Sequence, residues 1–138
     1  MNLERRLPAT MQAPAEARRS VEQLAEKLEP ECLEVVRLLV SELVTNSVRH
    51  AGLRGEDWVD LTLQVTKNGV RAAITDRGEG FQAIRRQPAP GSTSGWGLFL
   101  LDELADSWGV SGDGSTRVWF EIVRRPAPAP SASELSSS

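Results

Sequence analysis

Glu42, Asn46 and His50 fall four residues apart within Ser-Glu-Leu-Val-Thr-Asn-Ser-Val-Arg-His, residues 41–50. On a helix, that spacing stacks an acid, an amide and an imidazole one turn above another on a single face. The neighbouring Val35, Val36, Leu38, Leu39, Val40, Leu43, Val44 and Val48 are apolar enough to fill a core. Polar groups set into such a surface are costly unless they find partners. The cluster therefore points to a ligand or a metal. Three more segments qualify as contributors: Asp76-Arg77-Gly78-Glu79-Gly80, Gly95-Trp96-Gly97-Leu98, and Thr116.

The chemistry these residue types allow is nucleotide binding with phosphoryl transfer. A carboxylate at a strand end, Asp76, can accept the exocyclic amine of a purine. Glycines at 78 and 80 remove side chains where a base must approach the backbone. Glycines at 95 and 97 let backbone N–H groups point at phosphates, and the positive end of a following helix adds to that attraction. The amide oxygen of Asn46 suits Mg²⁺, a hard cation that prefers oxygen and bridges phosphates. Glu42, one turn away, can orient or deprotonate an attacking hydroxyl.

Each fragment alone has a plainer reading. Asp-x-Gly-x-Gly is often a tight turn, and Gly-x-Gly before a helix is often only a flexible entry. Asn46 and His50 also suit satisfied core positions, Glu42 a cap or a surface pair, and Thr116 a simple β-former. Their order and placement together carry the argument. No Gly-x4-Gly-Lys-[Ser/Thr] occurs, and no Gly-x-Gly-x-x-Gly follows the first strand, so neither the P-loop nor the dinucleotide fingerprint is present.

The elements that must position these residues can be read from periodicity. Residues 2–8 partly alternate and predict an edge strand ended by Pro8. A helix with Pro14 in its first turn follows, carrying Ala17, Val21, Leu24, Ala25 and Leu28 at helical spacing. Pro30 starts the long helix of about 31–50, with Gly52 as its C-terminal cap. Residues 58–65 alternate as a strand, and Val70 to Thr75 returns as its partner. Lys67-Asn68-Gly69 is the expected hairpin turn, with positive φ at Asn-Gly. The segment from Asp76 to Gly95 is rich in Gly and Pro, and residues 81–94 predict a lid over the site. A helix over 96–107 and a last hairpin, 108–111 with 116–123, close the domain. The order implies an α+β, two-layer sandwich with helices on one face of a mixed, mostly antiparallel sheet. The domain spans 1–125. Residues 126–138 are almost wholly Pro, Ala and Ser and predict a disordered tail.

The 138 residues fit one domain, and 40% hydrophobic composition allows a proper core. A net charge of −3 with both signs scattered argues against nucleic-acid binding. The single cysteine, Cys32, excludes an internal disulfide, fits a reducing compartment and reads as core filler. No apolar run of about 18 residues is present to span a membrane, and no secretory signal is visible. The cytoplasm is the expected location.

In this set of motifs the chain resembles the GHKL ATPase superfamily, which includes gyrase, Hsp90, histidine-kinase catalytic domains and MutL. Residues 42–51 resemble its N-box, Asp76 to Phe81 the G1 box, Gly95 to Leu98 the G2 box, and Gly114-Ser115-Thr116 the closing motif. The resemblance covers about residues 1–124 and implies the Bergerat ATP-binding fold. Ser41 to Ala51 and Gly97 to Val110 are similar to patterns of the anti-sigma-factor serine kinases of the RsbW and SpoIIAB type found in actinobacteria. The resemblance implies Glu42 as general base, Asn46 as Mg²⁺ ligand and Asp76 as adenine reader. It implies Gly78, Gly80, Gly95, Gly97 and Leu98 as shapers of the pocket and Thr116 as support for the base.

The activity so implied is Mg-ATP-dependent phosphorylation of a small STAS-type anti-sigma antagonist, together with sequestration of a sigma factor. A homodimer built on the N-terminal strand and first helix is also implied. Two alternatives remain: a non-catalytic ATP-binding module, and a catalytic domain working with a larger sensor or phosphatase system. Trp96 departs from the polar residue common at its position in the G2 box. Arg49, Arg85 and Arg86 are candidates to replace the missing phosphate contact. By this comparison His50 is not a phosphoacceptor, and it orders the end of the N-box helix.

Overall fold

Strict alternation along residues 58–66 turns Val59, Leu61, Leu63 and Val65 to one side and Trp58, Asp60, Thr62 and Gln64 to the other. Strand β2 (Trp58–Thr66) is therefore apolar on one face only, and the sheet around it needs a single covering layer. The computed structural model describes residues 1–50, 58–76, 96–112 and 115–123. The side chains of residues 50, 96–98 and 112 fall outside that description, as do the expected Gly52 cap, the 81–94 lid and the 126–138 tail.

The remaining strands are β1 (Asn2–Pro8), β3 (Gly69–Asp76), β4 (Ser107–Gly112) and β5 (Thr116–Val123), and the helices are α1 (Ala13–Glu22), α2 (Pro30–His50) and α3 (Trp96–Leu104). The five strands form one sheet in the order β1-β2-β3-β5-β4. All four described pairings are antiparallel, which agrees with the expected mostly antiparallel sheet. The β2–β3 and β4–β5 neighbours are hairpins, which are antiparallel by construction, whereas β1–β2 and β3–β5 are joined through intervening elements.

The helices share one core with the sheet. Val36, Leu39, Val40, Leu43 and Val44 of α2 meet Leu61, Leu63, Ile74, Val118 and Phe120, with Ala17, Val21 and Leu24 filling the space beneath α1. Leu38 departs from the expected stripe and is 42% exposed. Cys32 packs, partly buried, against the core.

Two local expectations change. The α1 helix stops at Glu22, and the chain continues through tighter turns in which Gln23, Leu24 and Ala25 each donate to the carbonyl three residues back. That tightening leaves Leu24 and Leu28 buried while Ala25 turns to solvent. In the β2–β3 hairpin the loop is Lys67-Asn68, because Gly69 already pairs as the first residue of β3. Only Gly69 has a positive φ there, 150°. The Thr66 hydroxyl accepts from the Asn68 N–H at 3.1 Å, so a side chain, and not a second positive φ, holds the turn.

Candidate functional site

On α2, the positions Leu39, Leu43 and Asn46 follow one another at helical spacing, so Asn46 extends the core stripe by one more turn. Asn46 is 2% exposed and Ser47 beside it is also buried, while Glu42 is half-buried. The Nδ2 of Asn46 has no hydrogen-bond partner among the described residues. Buried amides without partners are uncommon because each loses its hydration uncompensated. The oxygen and nitrogen of such an amide are interchangeable by a flip, so the orphaned end can equally present the oxygen.

Arg18 of α1 donates to the Ser41 hydroxyl at 2.8 Å, and Thr45 donates to the Ser41 carbonyl at 2.7 Å. These bonds fix the turn of α2 that carries Glu42.

At the sheet, the alternation that buries Val70, Ala72 and Ile74 of β3 also points Asp76 inward, at 3% exposure. Asp76 is the register partner of Thr116, the first residue of β5, which is 4% exposed. Directly opposed residues on one face of an antiparallel pair stand close enough to act on the same group. Val59, Asp76 and Thr116 form one row at this end of the sheet, and the chain reaches that row from His50 of α2 through residues 51–57. Asn46, Asp76 and Thr116 thus all lie in the interior layer between helices and sheet. The described residues hold five buried polar side chains, namely Ser20, Asn46, Ser47, Asp76 and Thr116. Of these, Ser20 donates to the Glu16 carbonyl.

Gly97 and Leu98 lie in the first turn of α3. Gly78, Gly80 and Gly95 lie outside the described residues, as do Arg85 and Arg86. Arg49 is exposed on α2. Ser47 was not among the expected site residues. Its only signal in the sequence is its place beside Asn46, because a serine in a helix reads equally as a small core filler.

The donor set fits a nucleotide with its Mg²⁺. Among the described residues, no group of three His, Cys, Asp or Glu is placed to hold a metal. Mg²⁺ is commonly held by few protein oxygens together with substrate phosphates and water, which is what a single amide such as Asn46 can serve.

The histidine kinase-like ATPase domain family matches this chain over residues 7–122. Serine-protein kinase RsbW from Listeria monocytogenes serotype 4a is 30% identical over 89 residues, covering 55% of this chain and 56% of that protein. Its counterpart in serotype 4b matches to the same extent. The chain thus spans about half the length of the curated relatives it matches. Among solved structures, the RsbU and RsbW domains of Rv1364c from Mycobacterium tuberculosis superpose with a TM-score of 0.71 at 21% identity, covering 92% of this chain and 33% of that one. At that identity the likeness is one of fold, and it agrees with the α+β sandwich described above. With the family matched across nearly the whole described sheet and the three described helices, the chain belongs to the histidine kinase-like ATPase family.

Proposed function

We propose that this chain is a Mg-ATP-dependent protein serine/threonine kinase that works as an anti-sigma switch factor. The observation that carries the reading is the orphaned, buried amide of Asn46, set in the same interior layer as the opposed pair Asp76 and Thr116. Buried polar groups are kept where a ligand completes them. Asp76 accepts the exocyclic amine of adenine, and Thr116 supports the base from the neighbouring strand. Gly78, Gly80, Gly95, Gly97 and Leu98 shape the pocket around the base and phosphates. Asn46 supplies an oxygen to Mg²⁺, which when bound offsets charge on the phosphates. Glu42 takes the proton from the attacking hydroxyl of the substrate protein.

The similarity to serine-protein kinase RsbW supports a protein substrate. By that likeness the partners are a STAS-type antagonist that receives the phosphoryl group and a sigma factor held in alternation with it. The same likeness supports a homodimer working in the cytoplasm, without direct contact to nucleic acid or membrane. No helix among the described residues is long and apolar enough to cross a membrane.

Transfer of radiolabel from ATP to a cognate antagonist tests the reading. Glu42→Ala is expected to lower transfer by about 10²–10⁴-fold, the usual worth of a general base, while ATP affinity is retained. Unchanged transfer would remove Glu42 from the mechanism.

A second reading is favoured by Trp96, which stands where a polar phosphate contact is common in the G2 box. In that reading the chain is a non-catalytic ATP-binding module, and label reaches no partner from wild type or variant. A third reading, a catalytic domain working with a larger sensor or phosphatase system, is favoured by the Mycobacterium chain, where RsbU and RsbW domains occur together.

A further inference from the structure

The three described helices pack against one face of the sheet, so among the described residues no helix covers the other. The pairing register sets the side chains of that open face in rows across the strands. Trp119 of β5 stands in the row of Thr62, Ala73 and Gly109. Two residues to either side of it along β5, Arg117 and Glu121 point to the same face. The outward side of β5 thus runs cation, indole, anion.

The indole is held from both neighbouring strands. A Cβ at Gly109 would stand 2.7 Å from its Nε1, and the Arg71 guanidinium lies 4.7 Å from its ring centre. A side chain already held loses little freedom on docking. Beside it, Thr62, Ala73 and Thr75 floor a recess of about 630 Å³. Neither Arg117 nor Glu121 has an ion pair among the described residues. They cannot pair with each other within one chain, because four residues of strand set them about 13 Å apart. The charges on this face balance: Arg6, Arg71 and Arg117 stand against Glu4, Asp60 and Glu121, with Arg6 and Asp60 already paired.

We propose that this face packs against the same face of a second copy of the chain, about a two-fold axis that crosses the strands at the Trp119 row. That axis sets the two β5 strands antiparallel, one over the other. Arg117 of each copy then meets Glu121 of the other, so the ion pair forms twice. The two indoles meet at the axis in an offset stack, each beside the small floor of the other's recess. A face with both signs in equal number selects neither an anionic nor a cationic partner. It fits a partner that presents anion, indole and cation in reverse order, and a second copy does so by symmetry. Sheets stack face to face about 10 Å apart with their strands nearly aligned, which this arrangement requires. The homodimer of the kinase reading thereby acquires a surface, the open sheet face, in place of the N-terminal strand and first helix. The contact itself needs no nucleotide.

Sedimentation of the full chain without nucleotide tests this, and its outcome is independent of whether the chain binds ATP. Wild type is expected to be a dimer. Arg117→Glu and Glu121→Arg are each expected to raise the dimer dissociation constant about tenfold or more, because each sets like charges opposite one another. The double variant Arg117→Glu/Glu121→Arg restores the pair in reversed order and is expected to bring the constant back toward wild type. Recovery in the double variant also shows that the single changes did not simply unfold the chain. Thr62→Arg, in the axis row, sets two cations face to face and is expected to dissociate the dimer without touching either ion pair. A monomeric wild type would overturn the proposal. So would a double variant that recovers nothing the single ones lose. A dimer indifferent to all of these changes would overturn it too, and would leave the homodimer to another surface.

Discussion

At the scale of single residues, the proposed site would trade stability for chemistry. Asn46 occupies a core position that an apolar residue would fill without an unpaired amide. Replacing an unsatisfied buried polar group by an apolar one of similar size is neutral or stabilising. Asn46→Leu is therefore expected to leave thermal stability without nucleotide unchanged or raised. The same variant should lose the gain in ATP affinity that Mg²⁺ gives. A clear fall in melting temperature would show that the amide has a structural partner instead. The residue scale is also where the sequence was most legible. Glu42, Asn46, Asp76 and Thr116 stand out by type and spacing, and the burial of Asn46, Asp76 and Thr116 follows from periods of 3.6 and 2. Ser47 was not legible, because whether a helical serine is buried depends on what packs above it.

At the scale of elements, periodicity located every described strand and helix, and the differences lie at ends and turns. The α1 helix stops at Glu22 although Leu24 and Leu28 continue its apolar spacing. A three-residue turn buries both leucines as well as a helix does, so spacing alone cannot separate the two. The hairpin at Lys67-Asn68 was legible as a turn but not in its type. The Thr66 hydroxyl, a partner outside the two central residues, decided it. The direction of the β2–β3 and β4–β5 pairs followed from their hairpin connections, and the exposure of Leu38 did not follow from the apolar stripe around it.

One contact between elements has a sharp consequence. A Cβ at Gly109 of β4 would stand 2.7 Å from Nε1 of Trp119 on β5, and Arg71 covers that indole. Gly109→Val is expected to destabilise the fold by about 1–3 kcal/mol, the usual cost of overpacking, read as a lower urea midpoint. A midpoint equal to wild type would mean that the indole swings aside freely.

At the scale of the whole molecule, a single core joins the three described helices to the sheet. Phe120 is fully buried at its centre. Phe120→Ala is expected to lose about 3–5 kcal/mol, a large share of the roughly 5–15 kcal/mol that holds a domain of this kind folded. A loss under about 1 kcal/mol in chemical denaturation would show that the core closes around the gap more readily than native packing allows.

The central claim is that one purine nucleotide is read by Asp76 within this layer. Isothermal calorimetry with ATP, with and without Mg²⁺, on wild type and Asp76→Asn tests it most directly. The account predicts binding by wild type that Mg²⁺ strengthens, and a loss of about 1.5–3 kcal/mol in Asp76→Asn, the worth of a hydrogen bond to a charged group. Wild type that binds no ATP, or Asp76→Asn that binds it equally well, would contradict the account.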